Sequence, residues 1–120
     1  MKKQDCLRWA KALINGKHEK FRGRMSNSRN SEEKPSAMCC LGVANEEFQV
    51  EGYERDRMDG AAFSLSKAKV FSRSNPQVFG LSCYTLNDGR QRLVGEEGFT
   101  HEQIGILLLL AIESGEYKNI

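Results

Sequence analysis

The sequence predicts a single, mainly α domain of three principal helices, with room for one small β-hairpin. Three observations lead there. An apolar stripe at helical spacing runs through residues 4–15, and an apolar segment reaches from Met38 to Phe48. A capping box, Thr100-His101-Glu102-Gln103, opens an apolar run that lasts to Ile112. A length of 120 residues fits one compact domain, and 39% hydrophobic with 28% charged residues is ordinary for a globular one.

In the first helix Cys6, Leu7, Ala10, Leu13 and Ile14 fall on one face beside Trp9, and Gly16 supplies the left-handed residue that commonly ends a helix. Residues 17–36 carry Lys17, His18, Lys20, Arg22, Arg24, Arg29 and Lys34 and read as an exposed loop ending at Pro35. The second helix would turn Cys40, Leu41, Ala44 and Phe48 inward and stop in the charged stretch before Asp59. Phe63, Leu65 and the Val70-Phe71 pair suit a hairpin between residues 60 and 75. Pro76 to Gly80 reads as one helical turn, proline first and glycine just beyond. Leu86-Asn87-Asp88-Gly89 reads as a turn, because Asn, Asp and Gly tolerate positive φ. In the last helix Thr100 caps the first turn, Gln103 reaches back, Phe99 and Ile104 sit at staple positions, and Gly115 ends it. A helix with so little polar surface belongs at the centre of the fold or in a homo-oligomer interface.

Charge is unevenly spread. Residues 1–34 hold ten Lys/Arg against four Asp/Glu, whereas residues 35–120 hold eight against twelve, for a net +2. That asymmetry suggests an anionic partner near the amino-terminal third. Met1-Lys2-Lys3 is followed by polar residues without the pattern of a secretory signal. The longest apolar run, Ile104 to Ile112, is about half the roughly 20 residues a membrane-spanning helix needs. A cytoplasmic setting with no membrane contact is the expectation, and there Cys6, Cys39, Cys40 and Cys83 would be reduced thiols.

The candidate sites follow from these elements. Lys17, Lys20, Arg22 and Arg24 alternate with Phe21 and Gly23 just beyond a helix end. Arg forks and Lys ammonium groups suit phosphate, and Phe21 could stack on a base. Asn87 and Asp88 could orient the polar part of such a ligand. A cysteine nucleophile needs a base that lowers its pKa, and Cys39 or Cys40 with His101 is the arrangement the chain can offer. Adjacent cysteines do not have the spacing of a zinc knuckle, so neither a metal nor another cofactor is expected. The acidic 46–59 region is a further candidate, as a docking surface for a basic host protein.

Taken in order, Trp9-Ala10-Lys11-Ala12-Leu13, Gly16-Lys17, the Lys20-to-Arg24 stretch, Cys39-Cys40-Leu41-Gly42-Val43, Pro76 to Leu81, Leu86-Asn87-Asp88-Gly89 and the Phe99–Ile104 helix start resemble a family of small bacteriophage and prophage proteins. The double-cysteine and Leu-Asn-Asp motifs carry most of that likeness. The chain departs from the pattern in its longer 26–34 and 54–74 regions and in Met38, where an aromatic often precedes the cysteine pair. The resemblance brings no activity with it. It implies by association a non-enzymatic counter-defence inhibitor, binding a nucleotide-derived signal, a nucleic-acid-bearing complex or a host defence protein.

Overall fold

The amino-terminal helix α1 (Lys3–Ile14) is amphipathic and starts near Asp5 and ends near Lys11, charges that both favour the helix dipole. This and the other elements come from a computed structural model, which describes residues 3–22, 26–27, 36–47, 77–90 and 92–118. Beyond α1, strand β1 (Glu19–Lys20) pairs in parallel with β2 (Ala37–Met38), Glu19 opposite Ala37 and Lys20 opposite Met38. Helix α2 spans Cys40–Glu47. Strands β3 (Gln77–Val78) and β4 (Leu81–Ser82) form a hairpin, α3 covers Cys83–Asp88, α4 covers His101–Ser114, and β5 (Tyr117–Lys118) pairs antiparallel with β3. The molecule is mainly α with a small β component.

Helix α4 is the axis of the core. Ile104, Leu108 and Ala111 are fully buried, and α1 lies along the helix, burying Trp9, Ala10 and Leu13 against it. Gly105 sets their separation, for a Cβ there would stand 2.7 Å from both the Ala10 carbonyl oxygen and Ile14 Cγ1. The capping box is formed as its residues imply. Thr100 Oγ1 accepts the Gln103 amide at 3.1 Å, and Gln103 Oε1 accepts the Thr100 amide at 2.9 Å. Gly16 (φ 63) follows α1 and Gly115 (φ 80) caps α4, both left-handed. The helix is not enclosed on every side, since Ile106 and Leu110 stay about half exposed.

Three expectations need correction. The segment 77–82 is the hairpin β3–β4 and not a helical turn. Phe79 (φ 51) and Gly80 (φ 81) give the two positive φ angles that a two-residue hairpin turn demands, so Gly80 serves a turn and not a helix end. The hairpin expected at residues 60–75 lies outside the described residues, as do Phe48 and Arg24. Met38 belongs to β2, and Cys39 caps α2 from outside: its carbonyl accepts the Val43 amide and its sulfur the Gly42 amide at 3.4 Å. Finally, Leu86-Asn87-Asp88 is the last turn of a fourth helix among the described residues. Ser82 Oγ accepts the Thr85 amide at 3.1 Å to start α3, and Gly89 closes it through its amide on the Thr85 carbonyl.

Candidate functional site

The segment after β1 crosses over α3 and the loop that follows it, and five of the seven expected ligand residues meet there. Lys20 Nζ donates to the carbonyls of Glu97 and Phe99, both at 2.8 Å. Arg22 donates through Nε to the Asp88 carbonyl (3.1 Å) and through Nη2 to the Glu96 carbonyl (3.0 Å). Asn87 sits beneath them, 1% exposed. Its Oδ1 accepts the Cys40 amide at 3.0 Å, and its Nδ2 donates to the Phe21 carbonyl and to Asp88 Oδ1, both at 2.9 Å. Lys20, Phe21, Arg22, Asn87 and Asp88 therefore form one network. Both amide hydrogens of Asn87 are used within the protein, by the Phe21 carbonyl and the Asp88 carboxylate.

Lys17 is elsewhere, bonded at 2.8 Å to Glu47, which also takes Arg8 at 3.3 Å. Lys17 thus stands apart from Lys20 and Arg22 although only two residues lie between it and the first. The backbone turns between them as the chain passes from the end of α1 into β1.

Lys20 has its pKa lowered, first by burial and then by the Arg22 guanidinium beside it, while the Asp88 and Glu97 carboxylates pull the other way. Carbonyl partners fix both cations without neutralising them. Arg22 keeps its whole Nη1 group and one Nη2 hydrogen beyond these bonds, and Lys20 keeps one ammonium hydrogen.

Cys40 lies directly under this network, held at three points. Its amide goes to Asn87, its carbonyl accepts the Trp9 indole at 2.7 Å, and its thiol donates to the Cys83 carbonyl at 3.3 Å. All four cysteines are buried and unbridged. Burial pushes the Cys39 thiol up to about 12, against weaker opposing bonds from the Gly42 and Leu41 amides. Burial likewise raises Cys40 and Cys83. His101 directs Nδ1 to the His18 carbonyl (3.1 Å), so that nitrogen bears the proton, and burial lowers its pKa. Among the described residues the buried Nε2 atoms of His101 and His18 have no side-chain hydrogen-bond partner. The imidazole thus makes no bond to a thiol, and protonated thiols of this kind are poor nucleophiles.

Modification should follow that burial. At neutral pH iodoacetamide should label Cys39 at least about a hundredfold more slowly in the folded protein than in urea, because burial both covers the sulfur and disfavours the thiolate. Mass spectrometry of timed reactions measures it, and one cysteine labelled at the denatured rate would contradict it. Raised folded-state pKa values also set a pH dependence. Stability is fully present below the unfolded thiol value of about 8.5 and falls as pH rises beyond it, because the fold retains protons that the unfolded chain releases.

The backbone brackets around Cys40 were the part the residue types did not reveal. Asn in a Leu-Asn-Asp-Gly string signals a turn, and only the Ser82-x-x-Thr85 cap upstream could have identified the short helix that points Asn87 inward. Among the described residues no group of three or more His, Cys, Asp or Glu side chains is placed to hold a metal ion, and no helix is long and apolar enough to cross a membrane. Comparison with protein-family models, curated proteins and solved structures finds no match to this chain.

Proposed function

We propose that the chain is a non-enzymatic binding protein of the phage counter-defence kind, and that it meets an anionic partner at Lys20 and Arg22. One observation carries this reading: two neighbouring cations are fixed by neutral carbonyls, neither forms an ion pair among the described residues, and both retain donors. Half-buried Phe21 lies between them in sequence, with its carbonyl held by Asn87. The partner class is a nucleotide-derived signal or a nucleic-acid-bearing complex, and the buried thiols favour binding over thiol catalysis.

Titration of the ¹⁵N-labelled protein with ATP and with a short single-stranded oligonucleotide tests it. Saturable shifts should centre on residues 20–22 and 96–99. With two phosphate contacts the oligonucleotide affinity should fall roughly sevenfold between about 50 and 200 mM salt. Absence of shifts in these segments with both probes would remove the reading. Reversing the charge of Arg22 is a poor substitute, because that side chain also holds the loop it touches.

A further inference from the structure

We propose a second site, separate from the first: the groove along the outer face of α1 binds a small dianion carried on an apolar or planar body, of the phosphate-monoester class. The groove has a volume of about 460 Å³, within the range of small-molecule sites. Leu7 and Ala12 form an apolar floor. Arg8 and Lys11 stand on its α1 side, Lys17 comes from beyond the helix end, and Glu47 at the end of α2 closes it.

The charges do not balance. Among the described residues three cations line the groove against one carboxylate, a local charge of +2 that complements a dianion. Glu47 acts as a positioning residue. Its side chain is only 8% exposed, whereas Arg8 and Lys17 are 61% and 60% exposed, and one oxygen holds each cation. The Lys17 hydrogen bond, more than the opposing burial, keeps the Glu47 carboxyl below its ordinary value, so it remains ionised across the neutral range. Two long, flexible side chains are thereby fixed before any ligand arrives, which reduces the entropy lost on binding. Their recognition groups stay available. Arg8 gives Glu47 only its Nε, leaving both Nη groups as the fork that suits phosphate, and Lys17 gives one of three hydrogens. Gln4 lines the groove on the same helix as Arg8 and Lys11, and Asn15 lies just past the helix end, its amide still on the Lys11 carbonyl at 2.9 Å; both offer side-chain amides to ester or hydroxyl oxygens.

The apolar floor distinguishes this site from a surface that merely attracts phosphate. Phenyl phosphate should therefore bind roughly tenfold more tightly than inorganic phosphate, and benzyl alcohol should not bind. Titrations of the full chain followed by amide shifts should move residues 7–17 with phenyl phosphate, saturably and more weakly at about pH 5, where a phosphate monoester loses its second charge. Lys11→Ala, at an exposed position with no ion pair among the described residues, should weaken binding at least about threefold with the thermal midpoint lowered by only a few degrees at most, about what loss of a helix-end charge costs. Glu47→Gln raises the groove to +3, yet should weaken binding because the cations lose their anchor. Tighter binding in Glu47→Gln, equal affinity for phenyl phosphate and phosphate, or no α1 shift at about 10 mM phenyl phosphate would each overturn the proposal. Shifts confined to residues 20–22 and 96–99 would overturn it while supporting the first site; shifts confined to α1 support this site, and the first stands or falls on its own titration with ATP and the oligonucleotide.

Discussion

Replacing Gly98 with alanine should cost about 3 kcal/mol or more, and the same change at Gly89 at least as much, well beyond the loss at the open glycines among the described residues. Gly89 and Gly98 lie back to back where the loop after α3 returns beneath the helix end. A Cβ on Gly98 would sit 2.5 Å from the Asn87 carbonyl oxygen and 2.7 Å from that of Leu86. One on Gly89 would meet the Gly98 nitrogen and stand 2.6 Å from the Glu96 oxygen. The obstacles are backbone atoms on both sides, so no side chain can swing away. Both residues also hold positive φ, 77 and 76, which alanine adopts at a cost of its own.

Gly80 and Gly95 provide the control. They too have positive φ, 81 and 87, but a Cβ at either meets nothing within 4 Å. Alanine there should cost only about 1–2 kcal/mol, the conformational part alone. Urea midpoints at unchanged m compare the four variants, and equal losses throughout would show that crowding at the crossing contributes nothing. The consequence extends to the first site. The Asp88, Glu96, Glu97 and Phe99 carbonyls that hold Lys20 and Arg22 all belong to this crossing, so Gly98→Ala should also disturb the amide signals of residues 20–22.

What the residues disclosed in advance depended on whether the signal was local. Helix α4 carries its start in a capping box and its end in Gly115, both complete within a few residues, and α1 shows a full apolar stripe. The β1–β2 pair joins residues 19–20 to 37–38 in two-residue strands, too short for any alternation to appear. Helix α3 has only six residues, ends in Asn-Asp, and is held by tertiary bonds that no propensity records. The grouping of basic segment and Asn-Asp motif was legible, and Lys20, Arg22, Asn87 and Asp88 do meet. Their relation was not. Residue types alone suggest cation and amide reaching outward together, whereas in the structure each bonds the backbone that carries the other. Lys17 was misgrouped for the opposite reason, because proximity along the chain does not reveal the partner Glu47 that draws it to another face.

Asn87→Ala should destabilise the protein by about 3 kcal/mol, because one side chain satisfies backbone groups from two distant segments. Without it the Cys40 amide at the start of α2 is buried with no acceptor, an orphan that costs about 1–3 kcal/mol, and the Phe21 carbonyl loses one donor. Asn87→Asp separates the two roles. An aspartate keeps an oxygen for the Cys40 amide but turns a second one toward the Phe21 carbonyl and the Asp88 carboxylate, where the ionised form is repelled. Its folded-state pKa must then exceed the unfolded value of about 3.9. Protonation stabilises the variant, so its deficit relative to the native protein should be large at about pH 7 and shrink toward about pH 4.5. Urea unfolding of the three proteins at both pH values measures this. A loss below about 1 kcal/mol for alanine, or an aspartate deficit that stays constant with pH, would mean that these bonds are replaced by water and that Asn87 does not join the basic segment to the cysteine pair.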